Sequence, residues 1–272
     1  MLRERVVVTV LLLPAAFWII GAGGWLFAAG VALVLGLASA EYAALFRAQG
    51  LRPATRLIVV GVVALVAGRQ VNGFGSGAAL LAGLSLVLMT WHLIDYERGA
   101  PRSGTDFAVS LGGAVYLGWI GAYLVSLRAL PDGLWWLLTA LPAVWIGDSA
   151  AYFFGRAYGR HRLAARLSPK KTWEGFGAGV VGAALAGAGF AALWAFAAGP
   201  GATLSVGRGL AVGLVMGIVT PLGDLGISMI KREVQIKDSG TLLPGHGGAL
   251  DRLDSWLWAG VLGYYLVRAL SG

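Results

Sequence analysis

Apolar runs long enough to cross a bilayer recur along nearly the whole of this 272-residue chain. A helix needs roughly 17 to 25 such residues to span the hydrocarbon core. About nine segments meet that requirement: 6–22, 25–46, 55–72, 77–94, 108–128, 133–154, 175–198, 207–228 and 255–270. The runs are continuous rather than alternating, which selects helices over barrel strands of about ten residues. A mean hydropathy of +0.76, with only 12% charged residues and 43 glycines, lies outside the range of a soluble globular domain. The chain is therefore expected to be an all-α integral membrane protein, a polytopic bundle of about nine transmembrane helices. No repeat or low-complexity linker divides it, so one domain, 1–272, is expected, with N-terminal spans in 1–130 and the chemistry-bearing spans and loops in 131–272.

With nine spans, 17 of the 21 Lys and Arg residues fall on the side of the N-terminus. The other four, Arg69, Arg128, Arg208 and Arg268, fall opposite. The positive-inside rule then places the N-terminus in the cytosol and the C-terminus outside; a cell (inner) membrane is the expected location. Dropping one span would scramble this asymmetry. Residues 1–22 have the basic start and apolar run of a signal peptide, but Trp18, Ile19 and Ile20 suit an uncleaved span. The absence of cysteine excludes disulfides, thiolate metal sites and cysteine nucleophiles. A net charge of +8 without a soluble basic domain or aromatic platform gives no reason to expect nucleic acid.

The polar residues interrupting this apolar background carry the functional signal. Asp224 lies inside an otherwise apolar span, where a carboxylate is costly unless paired or bound to a cation. At 3.6 residues per turn, Asp224, Ser228 and Lys231 share one helix face, with Arg232 adjacent. They offer a metal ligand beside phosphate partners; the structural alternative is an ion pair of Asp224 with Lys231 or Arg232. Asp251, Arg252 and Asp254 precede the last span, where carboxylates also suit a helix start. Between these and the Asp224 group lies Pro244-Gly-His246-Gly247-Gly248, whose glycines allow backbone N–H groups to approach an anion.

Upstream, Asp148, Tyr152 and Arg156 recur at successive turns near the end of the sixth span. Ser168-Pro-Lys170-Lys171-Thr-Trp-Glu-Gly follows, with Pro169 suiting a helix start and the lysines suiting phosphate oxygens or topology alone. Glu41 is another membrane carboxylate, for pairing with a basic residue or for bundle stability. His92, Asp95, Glu97 and Arg98 read as a solvated loop, and His161 as a surface residue. Gly177, Gly179 and Gly182 match a dinucleotide pattern, but it lies inside an apolar span, where Gly175, Gly179 and Gly182 recur on one helix face and suit close helix packing instead.

The run from Ser228 through Lys231-Arg232, Lys237-Asp238, Gly240, Leu243-Pro244, His246-Gly247-Gly248 and Asp251-Arg252 to Asp254 closely resembles the signature of phosphatidate cytidylyltransferases, also called CDP-diacylglycerol synthases. Asp148-Ser-Ala-Ala-Tyr152 and Ser168-Pro-Lys-Lys-Thr172 resemble that family's two other recurring segments, in the same order. The resemblance is strong over 140–270 and earlier covers only hydropathy and Glu41-Tyr42. Two departures stand out. Ala249 replaces a larger aliphatic residue, and Ile227 stands where many bacterial relatives carry a glutamate.

The resemblance implies transfer of the cytidylyl group of CTP to phosphatidate, giving CDP-diacylglycerol and pyrophosphate, in phospholipid biosynthesis. It implies Mg²⁺, with a second metal left open, held by Asp224 and Asp251, with Asp254 and Asp148 as further candidates. Lys231, Arg232 and Lys237 join those two aspartates as expected catalytic groups. Asp148, Ser168, Lys170, Lys171, Ser228, His246, Gly247, Gly248 and Arg252 are expected around the substrates. CTP, phosphatidate and membrane lipid are the expected partners; a homodimer is suggested by resemblance alone. The expected site faces the cytosol. Two rivals stay open at this point: a CTP-dependent polyprenol or phytol kinase, and a transporter whose intramembrane carboxylates carry ions.

Overall fold

The computed structural model describes residues 14–236, 238–240 and 247–271. Its helices are numbered here in chain order: α1 (Gly24–Arg47), α2 (Thr55–Asn72), α3 (Gly77–Glu97), α4 (Ser103–Gly113), a π-helical stretch (Ala114–Ile120), α5 (Tyr123–Arg128), α6 (Gly133–Tyr158), α7 (Trp173–Ala198), α8 (Val206–Val219), α9 (Pro221–Glu233) and α10 (Leu250–Ser271). Two short strands, β1 (Arg162–Ala164) and β2 (Ser168–Thr172), form an antiparallel pair between α6 and α7.

Among the described residues, seven helical stretches are long and apolar enough to cross a membrane. They match the second to eighth expected spans, so the chain is a multi-pass membrane protein. The first expected span, 6–22, lies largely outside the described residues, although 14–22 is helical. The ninth, 255–270, lies within α10 but is not among the seven.

The chain divides into two compact units, Met1–Ser126 with Ile230–Leu253, and Leu127–Met229 with Asp254–Gly272. In the first, α1 and α2 bury Leu35, Ala38, Ile58 and Val62. The π-helical stretch passes close to α2 at Gly118, where a Cβ would stand 2.7 Å from the Leu65 side chain and 3.2 Å from Val62 Cα. Arg69, nearly buried in a span, is accommodated by aromatic faces: its guanidinium carbon lies 3.6 Å from the Phe74 ring centre and under 5 Å from those of Trp119 and Tyr123. Its Nη1 also donates to Ser126 Oγ at 3.0 Å. His92 departs from the solvated reading: it is 2% exposed, with Nε2 2.9 Å from Ser110 Oγ. Ser110 is fully buried and accepts from Ala54 N–H, so the pair ties two helices to a loop.

In the second unit, small residues let α6, α7 and α8 approach. A Cβ on Gly179 would lie 3.0 Å from both Ala151 Cβ and the Gly147 carbonyl oxygen, and one on Gly182 would lie 2.8 Å from Ala150 Cβ. These glycines pack helices, as lipid-embedded bundles require. The eighth expected span, 207–228, lies within the apolar stretch Val206–Glu233, in which α8 ends at Val219 and α9 restarts at Pro221, whose missing N–H is harmless in a first turn. One sequence expectation fails here. Pro169 does not begin a helix; it sits in β2, and α7 starts at Trp173 because the Thr172 hydroxyl caps it by accepting Gly175 N–H at 3.2 Å.

Candidate active site

Within the second unit, α6 sets Asp148, Tyr152 and Arg156 four residues apart, so they form one stripe. The helix stops at Gly159, and the hairpin then folds back with Arg162 opposite Thr172 and Ala164 opposite Ser168. Polar contacts hold that hairpin. Glu174, in the first turn of α7, accepts the N–H groups of Arg160 and His161 at 3.1 and 3.2 Å and lies 2.6 Å from His161 Nδ1. Arg162 Nη1 donates to the Pro169 carbonyl at 2.8 Å. The lysines that follow Pro169 are thus carried on a pinned strand.

The break at Thr220–Pro221 places Asp224 in the first turn of α9, where backbone N–H groups and the helix dipole favour a carboxylate. The preceding Thr220 turns its hydroxyl back to the Met216 carbonyl at 2.8 Å. Asp224 pairs with Lys171 of β2, and Ser228 Oγ lies 3.4 Å from its Oδ1. The ion-pair partner is therefore neither Lys231 nor Arg232, the two named in the structural alternative.

These groups surround a cavity of about 840 Å³ lined by Asp148, Tyr152, Arg156, Ser168, Lys170, Lys171, Thr172 and Asp224, with Gly147, Gly175, Gly179 and Gly217 in its wall. That size suits a nucleotide or a lipid headgroup. Three cations and two carboxylates line it together. Such a set can bind anionic oxygens directly, and through a divalent cation on the carboxylates.

The first unit contains a second carboxylate cluster. Lys231, in the last turn of α9, donates to Asp251 Oδ1 at 2.6 Å, with the two side chains 13% and 11% exposed. Asp251 Oδ2 accepts Ser239 N–H at 2.9 Å, Ser239 Oγ–H at 3.0 Å and Gly248 N–H at 3.1 Å. Burial opposes the charge on Asp251, but the Lys231 ammonium and the two backbone N–H groups outweigh it and hold the carboxyl below the usual carboxylate range. Gly247 adopts φ +80°, a left-handed conformation that glycine tolerates without strain. The Gly248 N–H, expected to face an anion, is given to Asp251 in this structure. Glu41 of α1 joins the cluster: Oε1 accepts Ala249 N–H at 3.0 Å, and Oε2 accepts Leu250 N–H at 2.9 Å and Ser239 Oγ–H at 3.0 Å.

The structure thus gathers Asp148, Ser168, Lys170, Lys171 and Asp224 around one cavity, and Lys231, Gly248 and Asp251 into one hydrogen-bonded cluster. Asp254 is not at the helix start that its position before the last span suggested: it lies in the second turn of α10, with Oδ1 2.6 Å from the neighbouring Ser255 N–H. Arg232 and Arg252 are exposed. Lys237 and His246 lie outside the described residues. Sequence reasoning did not single out Ser239, whose role depends on tertiary partners, or Thr172 as a cap, although its partner Gly175 is only three residues on. For Glu41 the sequence leaves pairing with a basic residue and bundle stability both open; the groups it binds here are two backbone N–H groups and a hydroxyl.

Among the described residues, no group of three or more His, Asp and Glu side chains is placed to hold a metal alone. Mg²⁺ does not require one: it takes one or two carboxylates and completes its octahedron with water and phosphate oxygens. Asp148 and Asp224 on one cavity fit that donor set.

A sequence model described as the cytidylyltransferase family matches residues 3–270. The chain is 34% identical to the phosphatidate cytidylyltransferase of Synechocystis sp. over 98% of its own length and 97% of the relative's. It is also 34% identical to the phosphatidate cytidylyltransferase of Brucella suis, over 97% and 92%. Against phosphatidate cytidylyltransferase 5, chloroplastic, of Arabidopsis thaliana, identity is 32% over 92% of this chain and 68% of the plant protein. With its polar cavity set among membrane-spanning helices and a match along nearly its whole length, this chain belongs to the cytidylyltransferase family.

Proposed function

We propose that the protein transfers the cytidylyl group of CTP to phosphatidate, yielding CDP-diacylglycerol and pyrophosphate. The supporting observation is the cavity in which Asp148 and Asp224 stand beside Lys170, Lys171 and Arg156. The reaction brings two polyanions together. A phosphatidate oxygen attacks the α-phosphorus of CTP, the bond from that phosphorus to the bridging oxygen breaks, and pyrophosphate leaves with the electron pair. The nucleophile is already an anion, so no base is needed to activate it, and none of the cavity residues is assigned that task.

The residues are instead suited to charge neutralisation, which is most effective where water is scarce. Lys170, Lys171 and Arg156 bind phosphate oxygens. Asp148 and Asp224 hold Mg²⁺, which when bound neutralises the phosphates and stabilises charge leaving on pyrophosphate. Lys171 pairs with Asp224, which holds its ammonium at the cavity wall, close to where phosphate arrives. Asp251 is a further candidate ligand; its oxygens would have to give up Lys231 or a backbone N–H to serve. The positive-inside asymmetry supports a site at the cytosolic boundary, where CTP arrives from water and acyl chains stay in lipid.

The test is direct. Purified protein is given phosphatidate, Mg²⁺ and CTP labelled at the α- or the γ-phosphate. Label from the α-position in a lipid product, with pyrophosphate released, is the expected result. Transfer of the γ-label to lipid would make the chain a kinase, and ion flux without any CTP-dependent product would make it a transporter.

A further inference from the structure

We propose that Glu41 is a positioning residue for the proposed reaction: from α1 it holds the segment around Asp251, and through it Lys231, in the arrangement that turnover requires. A carboxylate within an apolar span is costly, so its retention calls for specific compensation. Here the compensation comes from 198 to 209 residues further along the chain. Both oxygens are used, one on Ala249 N–H and the other on Leu250 N–H and Ser239 Oγ–H. The two N–H groups open α10, where a helix leaves its first donors without intrahelical acceptors. Glu41 therefore caps, from a distant helix, the turn that carries Asp251.

The hydroxyl of Ser239 extends the link. It lies 3.0 Å from Glu41 Oε2 and 3.0 Å from Asp251 Oδ2, and its one proton serves both carboxylates in turn. Asp251 then holds Lys231 at 2.6 Å. The glycines nearby are shaped to this carboxylate: a Cβ on Gly240 or on Gly248 would stand 2.8 or 2.7 Å from the Glu41 carboxyl carbon. Gly248 is thus needed for close approach to Glu41, a different use from cradling a ligand.

Glu41→Gln keeps the volume but sets an amide NH₂ against backbone donors. The protein, in detergent micelles, is assayed for kcat and for KM of CTP and phosphatidate, alongside Tm. Because the chain has no cysteine, the thiol introduced by Ala249→Cys reports, by its rate of labelling with a water-soluble maleimide, how firmly the segment is held. Removing an outer partner of a functional carboxylate typically costs about 10- to 100-fold. The expected result for Glu41→Gln is a kcat loss of that size per folded molecule, with labelling at least about tenfold faster. Glu41→Asp, which keeps the charge but shortens its reach, should recover part of both. A kcat loss below about threefold, or an unchanged labelling rate, overturns the proposal; where Glu41→Gln does not fold, Glu41→Asp is judged by the same two limits against the parent. The inference rests on the cytidylyl-transfer reading for its kinetic arm alone. A parent protein that makes no CDP-lipid sinks that reading, and labelling then decides the role of Glu41.

Discussion

The two carboxylate clusters use the same chemistry to opposite ends. In the second unit, Asp148 and Asp224 border a cavity of about 840 Å³, and the ion-pair partner of Asp224 is a lysine on a short strand. In the first unit, Asp251 and Glu41 take their donors from the protein itself: three backbone N–H groups from residues 248–250, the Ser239 N–H and hydroxyl, and Lys231. A carboxylate saturated by its own chain organises structure, whereas one left beside open space is available to a ligand. A cluster of acidic residues in sequence does not distinguish these cases; the number and origin of the donors does.

The sharpest way to break this contrast is to neutralise one member of each cluster. Asp224→Asn leaves the helix start intact but removes the charge from the cavity. Turnover is expected to fall by about 10³-fold or more, the scale of losing a principal electrostatic group, with Tm unchanged to within about 2 °C. Near-normal product formation would remove the proposed metal role. Asp251→Asn is expected to lose about 10²-fold in turnover and also about 2–3 kcal/mol of stability, between the values for exposed and buried ion pairs. For a chain of this size that is a Tm fall of roughly 5–10 °C. An unchanged Tm for Asp251→Asn, or a large Tm fall for Asp224→Asn, would erase the distinction between a ligand-facing cluster and an organising one.

How much could be read from residues alone follows the range of the interactions. The seven described spans were visible because apolar length is a local property, and the stripe Asp148, Tyr152, Arg156 because helical period is one too. The helix restart at Pro221 is hidden within one continuous apolar stretch, and the strand holding Pro169 is hidden because a proline suits a helix start in isolation. At Pro169 the deciding feature is the hairpin, with Arg162 gripping its carbonyl and Thr172 supplying the true cap. His92 read as a loop residue because its neighbours Asp95, Glu97 and Arg98 are charged, yet its partner Ser110 comes from α4. Glu41 was conspicuous as a membrane carboxylate, but nothing local indicates that its donors are backbone groups some 200 residues away.

Ile227 tests the contrast at its mildest. It lies in α9 between Asp224 and Lys231, one residue before Ser228, and so borders functional groups in sequence. The family resemblance of the sequence implies a glutamate at this position, which by position alone would invite a role in catalysis. The side chain is 1% exposed, however, so in this chain the position is filled by packing. Ile227→Ala should leave a void and cost about 2–5 kcal/mol, seen as a lower Tm and yield. Turnover per folded molecule should stay within about threefold of the parent, because nothing charged is lost and the polar partners of Asp224 are untouched. Equal Tm with a severe loss of turnover would mean that this apolar side chain shapes the reacting geometry itself, and that the boundary between packing and chemistry on α9 runs through Ile227 rather than beside it.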